Sequence, residues 1–304
     1  MTNFQTRTDP LVSIVIPVYA DPEGLRRTLQ SAVDQQYDPF EIVISVTPST
    51  GETLEVAKEY EKEYSDLVHI VEVEKKGRAR ARNAGIEGSN GEIIAFVDAD
   101  IWMKSDWLST SVSDLKNKGA DYLACNVVVS QTTDDSNFVG KYDRALSIPV
   151  SHYVDQYQFA PTAALLLTRD LIEEVGAFNP ELTSSEDREF GNRVYDQGYE
   201  LHVSDCEVYH PSRREISEQI KKAIRIGIGM EELRQQYPER YSLPSLKSPL
   251  SYAPPNPFRL RSRLASNDYE PNVVEWVSFY SFNYFLKLNQ QRGRWKQYRQ
   301  HESG

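Results

Sequence analysis

Thiols are scarce in this sequence: Cys125 and Cys206 are the only cysteines in 304 residues. Two cysteines so far apart supply neither a disulfide framework nor a CxxC pair for zinc or redox chemistry. A chain of this length needs no such staples to bury a core, and the composition fits a reducing, cytoplasmic setting. Long apolar runs are missing too. No stretch approaches the ~18 uninterrupted apolar residues of a membrane span, and the opening MTNFQTRTDP lacks the basic-then-apolar pattern of a secretory leader. Any membrane contact is therefore expected to be peripheral, at the inner face. Positive charge is sparse in the first two-thirds, where residues 1–210 carry 18 Lys and Arg against 36 Asp and Glu; residues 211–304 carry 16 against 9. An acidic body disfavours nonspecific nucleic-acid binding, and no nucleic-acid module is visible. The basic tail suits an anionic membrane surface or an anionic lipid-linked substrate.

What is present is a strict alternation of elements. Leu11 to Ile16 is a β-branched run closed by Pro17, and Asp21-Pro22-Glu23 opens a helical pattern through Leu25, Leu29 and Val33. Glu41 to Val46 reads as a second buried strand, Thr53 to Tyr64 as a charged helix and Val68 to Val73 as a third strand. This is βαβαβ, the pattern of a parallel sheet with crossover helices. Arg78 to Glu87 predicts a helix, Ile93 to Val97 a short buried strand and Trp107 to Asn117 a further helix. Tyr122 to Ser130, Thr162 to Thr168 and Leu201 to Val203 predict strands of undefined direction. Beyond Pro211 the character changes to an amphipathic helix over Ile216 to Arg234, a Pro- and Arg-rich stretch and the aromatic segment Val273 to Leu288.

Asp98-Ala99-Asp100 follows the strand ending at Val97, the place where open α/β sheets bind ligands. Alternate carboxylates there can converge on one divalent cation, and hard ions such as Mg²⁺ or Mn²⁺ take oxygen ligands and bridge substrate phosphates. Taken alone, the same pair also reads as a solvated turn. Glu186-Asp187 follows Thr183-Ser184-Ser185 at the start of a helical pattern, so either serine could cap the helix and the acids fill its first turn. A carboxylate held there is also positioned to act as a base, although the helix dipole is expected to lower its pKa. His202, Cys206 and His210 share a parity that an unbroken strand would place on one face, an arrangement open to zinc. Ser204-Asp205 is expected to interrupt that strand, and no fourth ligand is evident.

Five segments together resemble glycosyltransferase family 2 over residues 11–212: SIVIPVYA, GRARARNAGI, FVDADIWMKSDWL, GAFNPELTSSEDREFGNRVYDQGYEL and VYHPSRR. The resemblance implies the GT-A fold of nucleotide-diphospho-sugar transferases, a Rossmann-like α/β mixed sheet flanked by helices, with residues 213–304 a basic, aromatic-rich helical extension. It implies that Pro17 and Tyr19 line the nucleotide pocket and that Arg82, Asp98 and Glu186 hold the nucleotide sugar. It further implies that Asp100, beside Asp98, binds a divalent cation (Mn²⁺ or Mg²⁺), that His210 adds a ligand, and that Asp187 is the general base. Sugar transfer from a nucleotide-diphosphate donor to an acceptor hydroxyl with inversion follows, with a glycan or lipid-linked acceptor.

One departure stands out. Where the family shows an Asp-Asp-Gly-Ser run, this chain has Val46-Thr47-Pro48-Ser49, leaving the Thr47 hydroxyl in the place of an acid that contacts the base. Two other functions remain open: a sugar nucleotidyltransferase, which wants a glycine-rich loop where Pro17-Val18-Tyr19-Ala20 stands, and a non-catalytic carbohydrate- or membrane-binding relative. The aromatic tail, with Trp276, Phe279, Tyr280, Phe282, Tyr284 and Phe285 before Arg292, Arg294, Lys296 and Arg299, is open to a membrane interface or to packing on the catalytic domain.

Overall fold

The computed structural model describes residues 9–47, 51–130, 137–146 and 148–302. Pro48 and Ser49 of the altered motif, most of the N-terminal decapeptide and residues 131–136 lie outside the described residues.

The first half winds as the alternation predicts. Strand β1 (Val12–Val18) leads into helix α1 (Pro22–Val33), which starts where the Asp21 side chain accepts a hydrogen bond from the Gly24 amide at 2.9 Å and Pro22 presets the first turn. Strand β2 (Phe40–Val46), helix α2 (Glu52–Glu63), strand β3 (Val68–Glu72), helix α3 (Arg78–Glu87) and strand β4 (Ile93–Val97) follow. These strands pair in parallel in the order β3-β2-β1-β4. Ile14, Ile16, Ile42, Ile44 and Phe96 are wholly buried, as expected where helices cover both faces of a parallel sheet.

The second half is mixed. After the two-residue strand β5 (Trp102–Met103) come helix α4 (Trp107–Lys118), strand β6 (Tyr122–Ser130), helix α5 (Phe138–Ala145), helix α6 (Val150–Tyr157), strand β7 (Ala164–Thr168) and helix α7 (Arg169–Val175). Helix α8 (Glu186–Asp196) and strand β8 (Leu201–Pro211) close the sheet. Strand β7 runs antiparallel to both β4 and β6, and β8 pairs parallel with β6 and antiparallel with β5.

Strand β8 is far longer than the Leu201 to Val203 stretch expected. Ser204-Asp205 does not end it. The ladder instead slips, so that Cys125 faces Ser204 and Asn126 faces Glu207, and the strand continues to Pro211. The slip breaks the parity on which the zinc arrangement depended. His202 approaches Glu200 at 3.5 Å, His210 approaches Asp100 at 3.1 Å, and no group of three His, Cys, Asp or Glu side chains suited to a metal occurs among the described residues.

The C-terminal region is helical. Helix α9 (Ile216–Gln236) opens with a capping box between Glu215 and Glu218, and helices α10 (Pro257–Ala265) and α11 (Val273–Glu302) follow. Helices α9 and α11 cross at two glycines. A Cβ on Gly227 would stand 2.0 Å from the Gln290 carbonyl oxygen, and one on Gly293 2.1 Å from that of Ile224. Beside the crossing, Arg294 and Glu231 form a buried ion pair at 3.0 Å. Most of the tail aromatics turn inward, Phe285 excepted. Phe279 is fully buried with its ring edge to Tyr142, Tyr280 donates to the Pro255 carbonyl and Tyr284 to that of Tyr252. Among the described residues no helix is long and apolar enough to cross a membrane.

Candidate active site

The carboxyl ends of β1, β2 and β4 share one edge of the sheet, and the expected nucleotide residues lie along it. Pro17 pairs with Ser45 near the end of β1. Tyr19, just beyond, is 47% exposed, and the Lys76 ammonium stands 3.8 Å from the centre of its ring. Thr47 is buried, and its amide donates to the Val18 carbonyl at 3.0 Å.

Asp98 leaves β4 in a tight turn closed by the Ile101 amide donating to its carbonyl. Arg82, buried on α3, reaches across the site, donating from Nη2 to Asp98 Oδ1 at 3.2 Å and from Nη1 to Glu186 Oε1 at 2.5 Å. One guanidinium thus ties the turn after β4 to the first residue of α8, a bridge that the fixed fork of arginine provides.

Asp100 meets a different partner. Its Oδ2 lies 3.1 Å from His210 Nε2, while His210 Nδ1 lies 2.6 Å from the Pro211 carbonyl. A carbonyl only accepts, so Nδ1 carries the hydrogen, and Nε2 lies between the Asp100 oxygen and Arg213 Nη2, the latter at 3.2 Å. A carboxylate and an imidazole converging while a backbone carbonyl orients the ring is a pattern suited to a cation. Burial works to raise the Asp100 carboxyl, but the His210 hydrogen bond and charge, with Arg213, outweigh it and hold the group below the usual range. Asp98, turned to Arg82, stands apart from this pair.

Helix α8 starts abruptly. Ser185 takes the cap position with φ +64°, a left-handed conformation uncommon for serine, and its side chain makes no capping hydrogen bond. Helix α9 lies hard against this turn, since a Cβ on Gly229 would come within 2.5 Å of Ser185 Oγ. The two acids that follow diverge. Burial works to raise Glu186, but the Arg82 charge outweighs it and keeps the carboxyl below the ordinary range. Burial, with the charge of Glu186 beside it, pushes Asp187 up to about 6. The helix dipole was expected to lower Asp187; burial and a neighbouring carboxylate held ionised by arginine override it.

Several residues near the site carry no signal in the sequence. Asp143 of α5 accepts from the Arg213 amide at 2.9 Å and from Gln219 Nε2 at 2.7 Å, with Lys222 at 3.9 Å, so one carboxylate gathers the end of β8 and the start of α9. Its segment shows no decipherable pattern, and only the packing of α9 gives it meaning. Arg213 stands in the VYHPSRR segment, where its 3.2 Å approach to His210 Nε2 could have been sought.

Residues 13–172 match the family model described as Glycosyl transferase family 2. The chain belongs to glycosyltransferase family 2. This family 2 glycosyltransferase is 32% identical over 227 residues to glycosyltransferase AglE of Haloferax volcanii, covering 74% of each protein. Several other curated relatives match over less than half of their own length. Poly(ribitol-phosphate) beta-N-acetylglucosaminyltransferase TarS of Staphylococcus aureus is 25% identical over 67% of this chain and 36% of its own. Among solved structures, mannosyltransferase PcManGT of Pyrobaculum calidifontis, in complex with GDP-Man and Mn²⁺, superposes with a TM-score of 0.62 at 18% identity, covering 96% of this chain and 88% of that one. TarS 1–349 in complex with UDP-GlcNAc gives 0.54 at 17% identity, over 95% and 92%. The fold is GT-A, as the sequence motifs imply. The family match ends at residue 172, so Glu186, Asp187 and His210 lie beyond it.

Proposed function

We infer that this family 2 glycosyltransferase transfers a sugar from a nucleotide-diphosphate donor to an acceptor hydroxyl with inversion at the anomeric carbon. The observation that carries the reading is the divergence of Glu186 and Asp187, one carboxylate held ionised and its neighbour raised toward neutrality, a recurring arrangement of acid–base sites. Asp187 takes the proton of the acceptor hydroxyl as its oxygen attacks. Arg82 keeps Glu186 charged and so holds Asp187 in the range where it accepts a proton near neutral pH. Pro17, Tyr19, Thr47, Arg82, Asp98 and Glu186 form the donor side, with the Thr47 hydroxyl where relatives place an acid.

Asp100 and His210 fit a divalent cation, Mn²⁺ or Mg²⁺, whose remaining positions a diphosphate would fill. A cation there supplies charge for the departing diphosphate. PcManGT with GDP-Man and Mn²⁺, and TarS with UDP-GlcNAc, support this class of donor. The acceptor is a glycan or lipid-linked glycan, made at the cytoplasmic side. A peripheral membrane contact would use Val273, Val274, Val277 and Phe285, which α11 leaves exposed.

Donor hydrolysis across a panel of nucleotide-diphosphate sugars, with Mn²⁺, with Mg²⁺ and with chelator, tests the reading. One donor turned over only with metal is the expected result. Absence of binding by every donor would sink it and favour a non-catalytic relative.

A further inference from the structure

Arg213 stands just beyond β8 with its guanidinium between two anchors. Its Nη2 lies 3.2 Å from His210 Nε2, which itself lies 3.1 Å from Asp100 Oδ2. A guanidinium only donates, so the first contact draws on the Nε2 lone pair. A cation held by Asp100 and His210 would need that same lone pair, since Nδ1 is committed to the Pro211 carbonyl. The other arm of the guanidinium is unfinished. Nη1 is buried and makes no hydrogen bond, yet it stands 3.6 Å from Asp143 Oδ2. A charge-assisted hydrogen bond closes at ~2.7–2.9 Å, so a shift of under about 1 Å completes it. Asp143 is a fixed receiver for such a shift. Its Oδ1 accepts from Gln219 Nε2 at 2.7 Å and its Oδ2 from the Arg213 amide at 2.9 Å. Burial works to raise its carboxyl, but the charges of Lys222 and Arg213 outweigh it and hold the group below the usual range.

We propose that Arg213 is the resident counter-cation of the Asp100–His210 pair, which gives up His210 when a divalent cation enters and is received by Asp143. This rests on the cation reading above and adds to it the two residues that set the affinity of the site. In the metal-free protein the arginine lies against His210 and its charge helps keep the Asp100 carboxyl ionised. Arg213 and a dication cannot share one lone pair, and their like charges drive the guanidinium toward Asp143, the anion already in reach of its unbonded N–H. The two residues therefore act on metal binding in opposite senses. Arg213 competes with the cation, and Asp143 draws the competitor away, a positioning residue that acts through Arg213.

Mn²⁺ titrated into the metal-free protein, with free Mn²⁺ followed by its electron paramagnetic resonance signal, separates these roles without any turnover. Arg213→Gln is expected to tighten Mn²⁺ binding about tenfold and Asp143→Asn to weaken it about tenfold, while in the Arg213→Gln background Asp143→Asn changes it by less than about twofold. Looser or unchanged binding by Arg213→Gln would overturn the proposal, and tighter binding cannot arise from a lost fold. An undiminished loss from Asp143→Asn in the double variant would overturn it too, by showing that Asp143 supports the site without Arg213. Should Asp143→Asn fail to fold by circular dichroism, the sign of the Arg213→Gln shift alone decides. If the wild type and Arg213→Gln both leave Mn²⁺ free, with and without UDP or GDP, the cation reading itself fails and the inference goes with it.

Discussion

The pKa of Asp187 ties chemistry and stability to one side chain. A base that titrates at about 6 has to be ionised to act, so kcat/KM is expected to be flat above that pH and to fall about tenfold per pH unit below it. Asp187→Asn should lose roughly 10²- to 10⁴-fold in kcat and keep donor affinity. Its stability should move the other way. The folded carboxyl holds its proton more tightly than the unfolded one, whose ordinary value is 3.8, so this group favours folding below that value and the benefit is lost as pH rises through about 6. The asparagine variant is therefore expected to melt above wild type at pH 8, with the gap closing near pH 4. Equal melting temperatures at pH 8 would contradict the raised pKa. At this scale the sequence names the Glu-Asp pair, the aspartates after β4 and His210. It does not reveal the direction in which Asp187 moves, because that depends on burial and on Glu186, which is held ionised by Arg82, 104 residues before Glu186 in the chain.

Among the elements, the parallel half of the sheet was legible because buried strands are continuous apolar runs and their helices alternate with them. Strand β8 was not, since the slip at Ser204 breaks its alternation and its pairing with β6 is non-local. The two-residue β5 is too short to leave a pattern. Helix α11 runs to Glu302, well past the aromatic stretch, because Asn289, Gln291 and Arg294 are buried against polar partners that a hydrophobic pattern cannot register. The crossing of α9 and α11 makes the sharpest prediction here. A methyl group on Gly293 would meet backbone rather than a yielding side chain, so Gly293→Ala is expected to cost about 1–3 kcal/mol. Urea denaturation measures it, and an unchanged midpoint would mean that the helices stand further apart.

Across the whole molecule, the shift from an acidic body to a basic tail near Pro211 invites a division into two units, yet the packing runs across it. Tyr142, Ala145 and Leu146 from before that point share one apolar cluster with Ala223, Leu260, Leu264, Phe279 and Leu286 from after it. Calorimetry is expected to show one cooperative endotherm, with Phe279→Ala lowering its midpoint through loss of a fully buried ring. Two endotherms, only one of them moved by that substitution, would show that residues 213–304 fold on their own. Charge composition exposed the tail, but it could not say what the tail touches. That follows from α9 lying against Ser184 and Ser185 at the head of α8. The reciprocal glycines of α9 and α11 also limit how such a protein can diversify. A recombination event that imports α9 alone from a relative sets a foreign side chain against the Gln290 carbonyl, so a new substrate preference has to be inherited with both helices as one block.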